Sequence, residues 1–177
     1  LENVAYNNIQ ATQFIKTLPD TDVDRMYTIG VSLGALTMAA MYAIDNSYKK
    51  AVIIIGGWPL YEVISTSDEG MVRNFYERMK TIYGEGATEA IKLGTAMSNN
   101  VYQYGPGEGI LQVRMETGDT SVPSATQKQY NDLLKPKETV LLKYRKWMAI
   151  SDLANGHYQT LIYYPYLIYR TIKFLSK

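Results

Sequence analysis

Gly30-Val31-Ser32-Leu33-Gly34 stands where a short apolar run ends and an Ala- and Met-rich run of helical character begins. Glycines two residues either side of a serine, between a strand and a helix, specify one local shape. It is a turn too tight for a Cβ, and it lifts the serine hydroxyl clear of a sheet edge. The junction requires a strand that feeds directly into a helix, which confines the chain to an α/β architecture. Roughly 0.05 such pentapeptides are expected by chance in a chain of this composition. Taken alone, Ser32 could equally be an ordinary helix N-cap. The residues downstream give the pattern its weight.

The alternation continues along the chain. Residues 2–18 place Ala11, Phe14, Ile15 and Leu18 at the i, i+3, i+4, i+7 spacing of an amphipathic helix, ended by Pro19-Asp20. Residues 26–30 form the strand before the pentapeptide and 33–44 the helix after it. Residues 51–55 are apolar and largely β-branched with no polar alternation, which implies burial on both faces and a parallel sheet. Gly56-Gly57-Trp58-Pro59 breaks that strand. Helices follow over 69–83 and 87–103, then a strand over 110–117, a helix over 123–134 and a strand over 139–144. A loop at 148–156 leads to a final helix over 158–175. Gly105-Pro106-Gly107-Glu108-Gly109 precedes a strand instead of opening a helix, so it reads as a turn and not a phosphate cradle.

Strands alternating with helices imply a parallel sheet with right-handed crossovers. The stretch between the second and third strands is too long for one crossover helix. Residues 59–105 are therefore expected to form a helical cap over one end of the sheet, with 1–58 and 106–177 making the core.

Composition removes several kinds of chemistry. The chain has 177 residues, the size of one domain or a large piece of one, and its 46% hydrophobic and 20% charged residues suit a packed core. A net charge of +1 gives no reason to expect nucleic acid or an anionic membrane as partner. The apolar run at 51–55 falls far short of the ~20 residues of a membrane span. With no cysteine there is no thiol nucleophile, disulfide or thiolate metal site. A single histidine argues against a histidine-based metal centre. The chain opens at Leu1 with neither an initiator Met nor a signal-peptide pattern. The natural start, and any targeting signal, are expected upstream; the compartment stays open, with the cytoplasm as working expectation.

Three groups then stand at comparable places. Ser32 follows the first strand, Asp119 the third and His157 the fourth. In an open parallel sheet, loops after the strands meet at one edge, where ligands bind. A serine hydroxyl needs an imidazole to take its proton, and the imidazole needs a carboxylate to fix its tautomer and stabilise its cation. Asp119 has two rivals. Glu116 falls inside a strand, and Asp152 lies on the wrong side of its loop to reach the far imidazole nitrogen. Trp58, just past a strand end, is the best pocket candidate. The aromatics Tyr61, Phe75, Tyr76, Tyr83, Tyr102 and Tyr104 are expected mostly to pack within the cap. Tyr158, Tyr163, Tyr164, Tyr166 and Tyr169 are expected to face the sheet or an interface. Asp68, Glu69, Arg73, Glu77, Arg78 and Lys80 read as a solvated helix face.

With these motifs in view, the chain resembles the α/β-hydrolase family over essentially its whole length. Gly30-Val31-Ser32-Leu33-Gly34 is similar to the family's nucleophile elbow. Gly118-Asp119-Thr120-Ser121-Val122-Pro123 is similar to its acid loop, and Gly156-His157-Tyr158 to its histidine loop. The resemblance implies an α/β fold with helices on both faces of a parallel sheet, the four strands here being the last four of a larger one. It implies a serine hydrolase that cleaves a small carboxylic ester, or an amide, through an acyl-enzyme, without cofactor or metal. The Leu33 amide would be one oxyanion donor. The second would lie on an N-terminal half of the fold that precedes residue 1, supplied by another segment or another chain. Peptidase and acyltransferase activity are variants of this reading, and a catalytically idle binding or structural subunit is its alternative.

Overall fold

In a computed structural model, residues 2–45, 47–96, 107–145 and 155–177 are described. Helix α1 (Glu2–Lys16) leads to strand β1 (Tyr27–Val31), which runs into α2 (Leu33–Ile44). Strand β2 (Lys50–Ile54) is followed by α3 (Leu60–Thr66), α4 (Gly70–Tyr83) and α5 (Ala87–Gly94). Then come β3 (Ile110–Met115), α6 (Ser124–Leu134), β4 (Glu138–Leu142), the short α7 (Gly156–Gln159) and α8 (Tyr164–Leu175). The strands form one four-stranded sheet in the order β1-β2-β3-β4, every pair parallel.

Alternate residues of the expected core strand go to opposite layers, as the pleat dictates. Ala51 and Ile53 join Ala35, Ala39 and Tyr42 of α2 and Tyr130 and Leu134 of α6. Val52 and Ile54 join Leu167 and Phe174 of α8, together with Val113, Met115 and Val140. Both faces of β2 are therefore covered by helices. β1 is different. Ile29 and Val31 pair in register with Val52 and Ile54, on the α8 side, yet they are 50% and 49% exposed. That side of β1 carries apolar side chains without a covering layer among the described residues.

Three expectations need correction. A helix that the sequence reading left out, α3, follows Pro59 directly. It is only seven residues long and is held by buried Leu60 and Val63, too few positions to show a period. The final helix is not continuous: α7 passes through a 3-10 turn at Thr160–Tyr163 before α8 begins. Pro165 sits in the first turn of α8, where its missing N–H costs nothing; further inside a helix it would break the ladder. The tyrosines of this region mostly face outward. Tyr158, Tyr164, Tyr166 and Tyr169 are exposed, because Leu167 and Phe174, seven residues apart on one helical face, take the sheet side. Tyr163 alone of the five packs against the core. Of the expected helix over 87–103, α5 forms Ala87–Gly94 and is capped at Thr95; residues 97–106, with Tyr102 and Tyr104, lie outside the described residues, as does Asp152.

At the end of α6, exposed Lys135 adopts a left-handed conformation (φ 47°, ψ 59°) while its N–H donates to the Asn131 carbonyl at 3.0 Å. A side chain is disfavoured there by about 1 kcal/mol, and glycine is not. Lys135→Gly is expected to raise stability by about that amount, read as a higher urea midpoint at unchanged slope. An unchanged or lower midpoint would refute the expectation.

Candidate active site

The elbow is built as its sequence requires. Ser32 has φ 54° and ψ −121°, a conformation that costs a non-glycine residue about 1–3 kcal/mol. The surroundings hold it there. Ser32 N–H donates to the Ile54 carbonyl at the end of β2, and the Ser32 carbonyl accepts from Ala35 N–H at 2.9 Å to start α2. The Ser32 side chain makes no capping bond to α2, so the N-cap alternative is not what the hydroxyl does. Of the two glycines, only Gly30 is forced by contact. A Cβ there would lie 2.3 Å from the Gly34 carbonyl oxygen, whereas a Cβ on Gly34 meets nothing within 4 Å. Leu33 opens α2 with its side chain exposed, and as the first helical residue its N–H has no acceptor within the helix.

Asp119 follows β3 and is completely buried at its side chain, while His157, in α7, is 13% exposed. Imidazole Nδ1 lies 3.1 Å from Asp119 Oδ2 and 3.2 Å from Oδ1. Asp119 Oδ1 also accepts from the N–H groups of Ser121 and Val122, at 3.1 and 3.0 Å, and Oδ2 accepts from Gln127 Nε2 at 2.7 Å. Both oxygens of the buried carboxylate thus have hydrogen-bond donors, as burial of a polar group requires. With Nδ1 facing the carboxylate, the neutral imidazole carries its proton there and leaves Nε2 free to accept one. The structure thus brings Asp119 and His157 together. Ser32 stands at the carboxyl end of β1, on the same edge of the parallel sheet, and no hydrogen bond between it and His157 is formed among the described residues.

The loops bearing acid and imidazole are fastened to each other. Asn155 caps α7 by accepting from His157 N–H at 2.9 Å, accepts from Thr120 N–H at 3.2 Å and donates to Ser121 Oγ at 2.8 Å. Gly156 N–H donates to the Gly118 carbonyl at 2.7 Å, and a Cβ on Gly156 would strike that same backbone. A second fastening comes from the connector between α3 and α4. Ser67 Oγ donates to the Ser121 carbonyl, Asp68 accepts from Thr120 Oγ, and Glu69 accepts from both Ser121 Oγ and Tyr158 hydroxyl at 3.2 Å. The Glu69 carboxylate at its hydroxyl holds the Tyr158 phenol above its usual range. Asp68, still exposed, and half-buried Glu69 precede α4 and are joined to the site's loops, while Arg73, Glu77, Arg78 and Lys80 form the solvated face of the helix. Sequence reasoning missed Gln127 and Asn155 as well.

Trp58 is half-buried against the layer formed by α2 and α6, and its backbone N–H donates to the Thr126 carbonyl at 3.0 Å. Gly107 to Gly109 form a 3-10 turn leading into β3; Gly105 and Pro106 lie outside the described residues. Among the described residues no group of three His, Asp or Glu side chains could hold a metal ion. Among them too, no helix is long and apolar enough to cross a membrane.

No protein-family model and no curated protein sequence matches the chain. Solved structures do. An acetyl xylan esterase from Paenibacillus sp. R4 superposes with a TM-score of 0.69 at 15% identity, covering 98% of this chain and 51% of that one. Acetyl xylan esterase 1 from Thermoanaerobacterium sp. JW/SL YS485 gives 0.59 at 17% identity, covering 81% and 44%. An acylaminoacyl peptidase from Pyrococcus horikoshii gives 0.55 at 16%, covering 85% and 24%. This chain thus spans about half the length of the esterases it matches. Four parallel strands with helices on both faces, an elbow after the first and a superposition on these structures make the fold of this chain that of the α/β-hydrolases.

Proposed function

We propose that the chain carries the catalytic groups of a serine hydrolase acting on a small carboxylic ester. The observation that carries this reading is the buried Asp119 carboxylate bonded to Nδ1 of the chain's one histidine, on the sheet edge where the strained Ser32 stands. His157 Nε2 takes the Ser32 hydroxyl proton as Oγ attacks the ester carbonyl. The resulting oxyanion is held by the Leu33 N–H and a second donor, each worth about 3 kcal/mol in the transition state. His157 then passes its proton to the departing alkoxide, leaving an acyl-Ser32. Water, deprotonated by His157, attacks the acyl carbon, and as the bond to Ser32 Oγ breaks His157 returns the proton to that oxygen and the acid leaves. Asp119 keeps the imidazole in one tautomer and stabilises its cation throughout. This scheme draws on no cofactor. Trp58 lines the substrate pocket, and the cap lies within residues 59–105. A further part of the fold, on this chain or another, covers Ile29 and Val31 at the free edge of β1 and supplies the second oxyanion donor. The greater length of the structural neighbours supports that last element.

A fluorophosphonate probe tests the nucleophile. Incubated with the purified protein, it is expected to add one phosphonyl group to Ser32, found by mass spectrometry of the peptide, and none to the Ser32→Ala variant. Labelling that persists in Ser32→Ala would refute the assignment.

A further inference from the structure

Gln127 belongs to none of the three motifs, yet it makes the shortest bond to the acid. Its side chain is fully buried in α6. Nε2 donates to Asp119 Oδ2 and to the Val122 carbonyl, both at 2.7 Å, while Oε1 accepts from Met115 N–H at 2.8 Å. The backbone donor at Met115 settles which end of the amide is which, since only the oxygen can accept from it. The Gln127 backbone carbonyl is itself held by Gln112 Nε2 at 3.1 Å.

The donors to Asp119 divide into two kinds. Ser121 and Val122 N–H belong to the acid's own loop and move with it. Gln127 comes from a helix packed on the sheet, and through Met115 it refers the carboxylate to strand β3. It is therefore the donor that can fix the carboxylate in the frame of the core, where a rotation of the acid loop alone would not disturb it. It is also uncharged. A lysine or arginine in its place would neutralise Asp119 and compete with the imidazolium, whereas an amide orients the carboxylate and leaves its charge to His157. The carboxylates of Asp68 and Glu69 reach Thr120, Ser121, Asn155 and Tyr158 and make no bond to this one.

We propose that Gln127 is a positioning residue that holds Asp119 toward Nδ1 of His157. The proposal rests on the reading of Asp119 and His157 as acid and base, and its test has a readout that needs no turnover. Because His157 is the chain's one histidine, imidazole ¹⁵N spectra report on it without assignment. The intact protein is expected to show the neutral ring protonated at Nδ1. Gln127→Met, of similar length but without a donor, is expected to populate the Nε2-protonated form. It should also lower kcat about 30-fold, within the hundredfold that ~1 Å of misplacement costs, with KM within about twofold. Gln127→Glu should restore kcat to within about threefold of the parent at pH 7. Beside a buried Asp119 its carboxyl stays protonated, keeping an O–H for Oδ2 and an oxygen for Met115 N–H. On an Asp119→Ala background, Gln127→Met should change kcat by less than about twofold.

An unchanged tautomer in Gln127→Met would overturn the proposal, and so would its full kcat loss persisting without Asp119. Should Gln127→Met fail to fold, the intact protein still decides. The Gln127 carboxamide proton shifts are expected to follow the protonation of His157, and shifts that stay fixed while the imidazole titrates would overturn the role. Absence of any esterase activity would count against Ser32 as nucleophile, while the tautomer would still decide Gln127.

Discussion

His157→Ala is expected to lower kcat for a short p-nitrophenyl ester by at least about 10⁴-fold, with little change in KM. Two features set this size. The chain contains no second histidine, so no neighbouring imidazole can take over as base. On the triad proposed above, the substitution also removes the group that Asp119 would serve, so acid and base are lost in one step, and non-additivity makes the single change almost as costly as losing all three. The fold should survive, because Asp119 keeps three donors, from Ser121, Val122 and Gln127. Steady-state kinetics on a variant whose urea midpoint matches the parent would check the expectation. A loss of less than tenfold would remove His157 from the chemistry and with it the reading of Asp119.

Gly30→Ala is expected to be severely destabilising. Its Cβ would lie 2.3 Å from the Gly34 carbonyl oxygen, 2.6 Å from that carbonyl's carbon and 2.7 Å from the Ala35 Cα. All three are backbone atoms of the first turn of α2, so no rotamer change relieves the clash. Either β1 or α2 must move, and both are pinned, since Ser32 N–H bonds to β2 and Ala35 and Leu36 pack without exposure. A loss of about 4 kcal/mol or more is expected, at the far end of single-substitution effects. Gly34→Ala is the matched control. Its Cβ enters open space within a helix, where alanine is favoured by up to about 1 kcal/mol. Urea denaturation of the pair should therefore separate them in opposite directions, and equal midpoints would contradict the packing at the elbow.

What could be read from the residues, and what could not, follows from the range of the interactions. The β-branched run at 51–55 declared a strand buried on both sides because every side chain in it is apolar, and the two layers on β2 are the result. The pairing of Asp119 with His157 was legible because residue type and position after a strand together specify it. Gln127 left a trace that was passed over. It shares the buried face of α6 with Tyr130 and Leu134, three and seven residues on, and an amide on an apolar helical face requires partners. Asn155 left a fainter one, as a favoured N-cap residue two positions before the histidine. The bonds of Asp68 and Glu69 to the acid loop were not legible, because their charge resembles that of Arg73, Glu77 and Arg78 on the same stretch. Only the folding-back of the connector onto the acid loop, more than fifty residues away, distinguishes them.

That connector has a bearing on how such a protein can be rebuilt. Ser67, Asp68 and Glu69 follow α3, inside the segment that sequence alone would assign to the cap. Yet they are bonded to Thr120, Ser121 and Tyr158, and Glu62 of α3 accepts from Gln129 of α6 at 2.9 Å. A segment exchanged at residue 59 would tear these bonds from the loops that hold Asp119 and His157, whatever replaced it. A cut at Gly70 spares them. Chimeras made at the two junctions would differ in turnover before they differed in substrate preference, so the serviceable seam for grafting runs one helix deeper than the chain's own punctuation suggests.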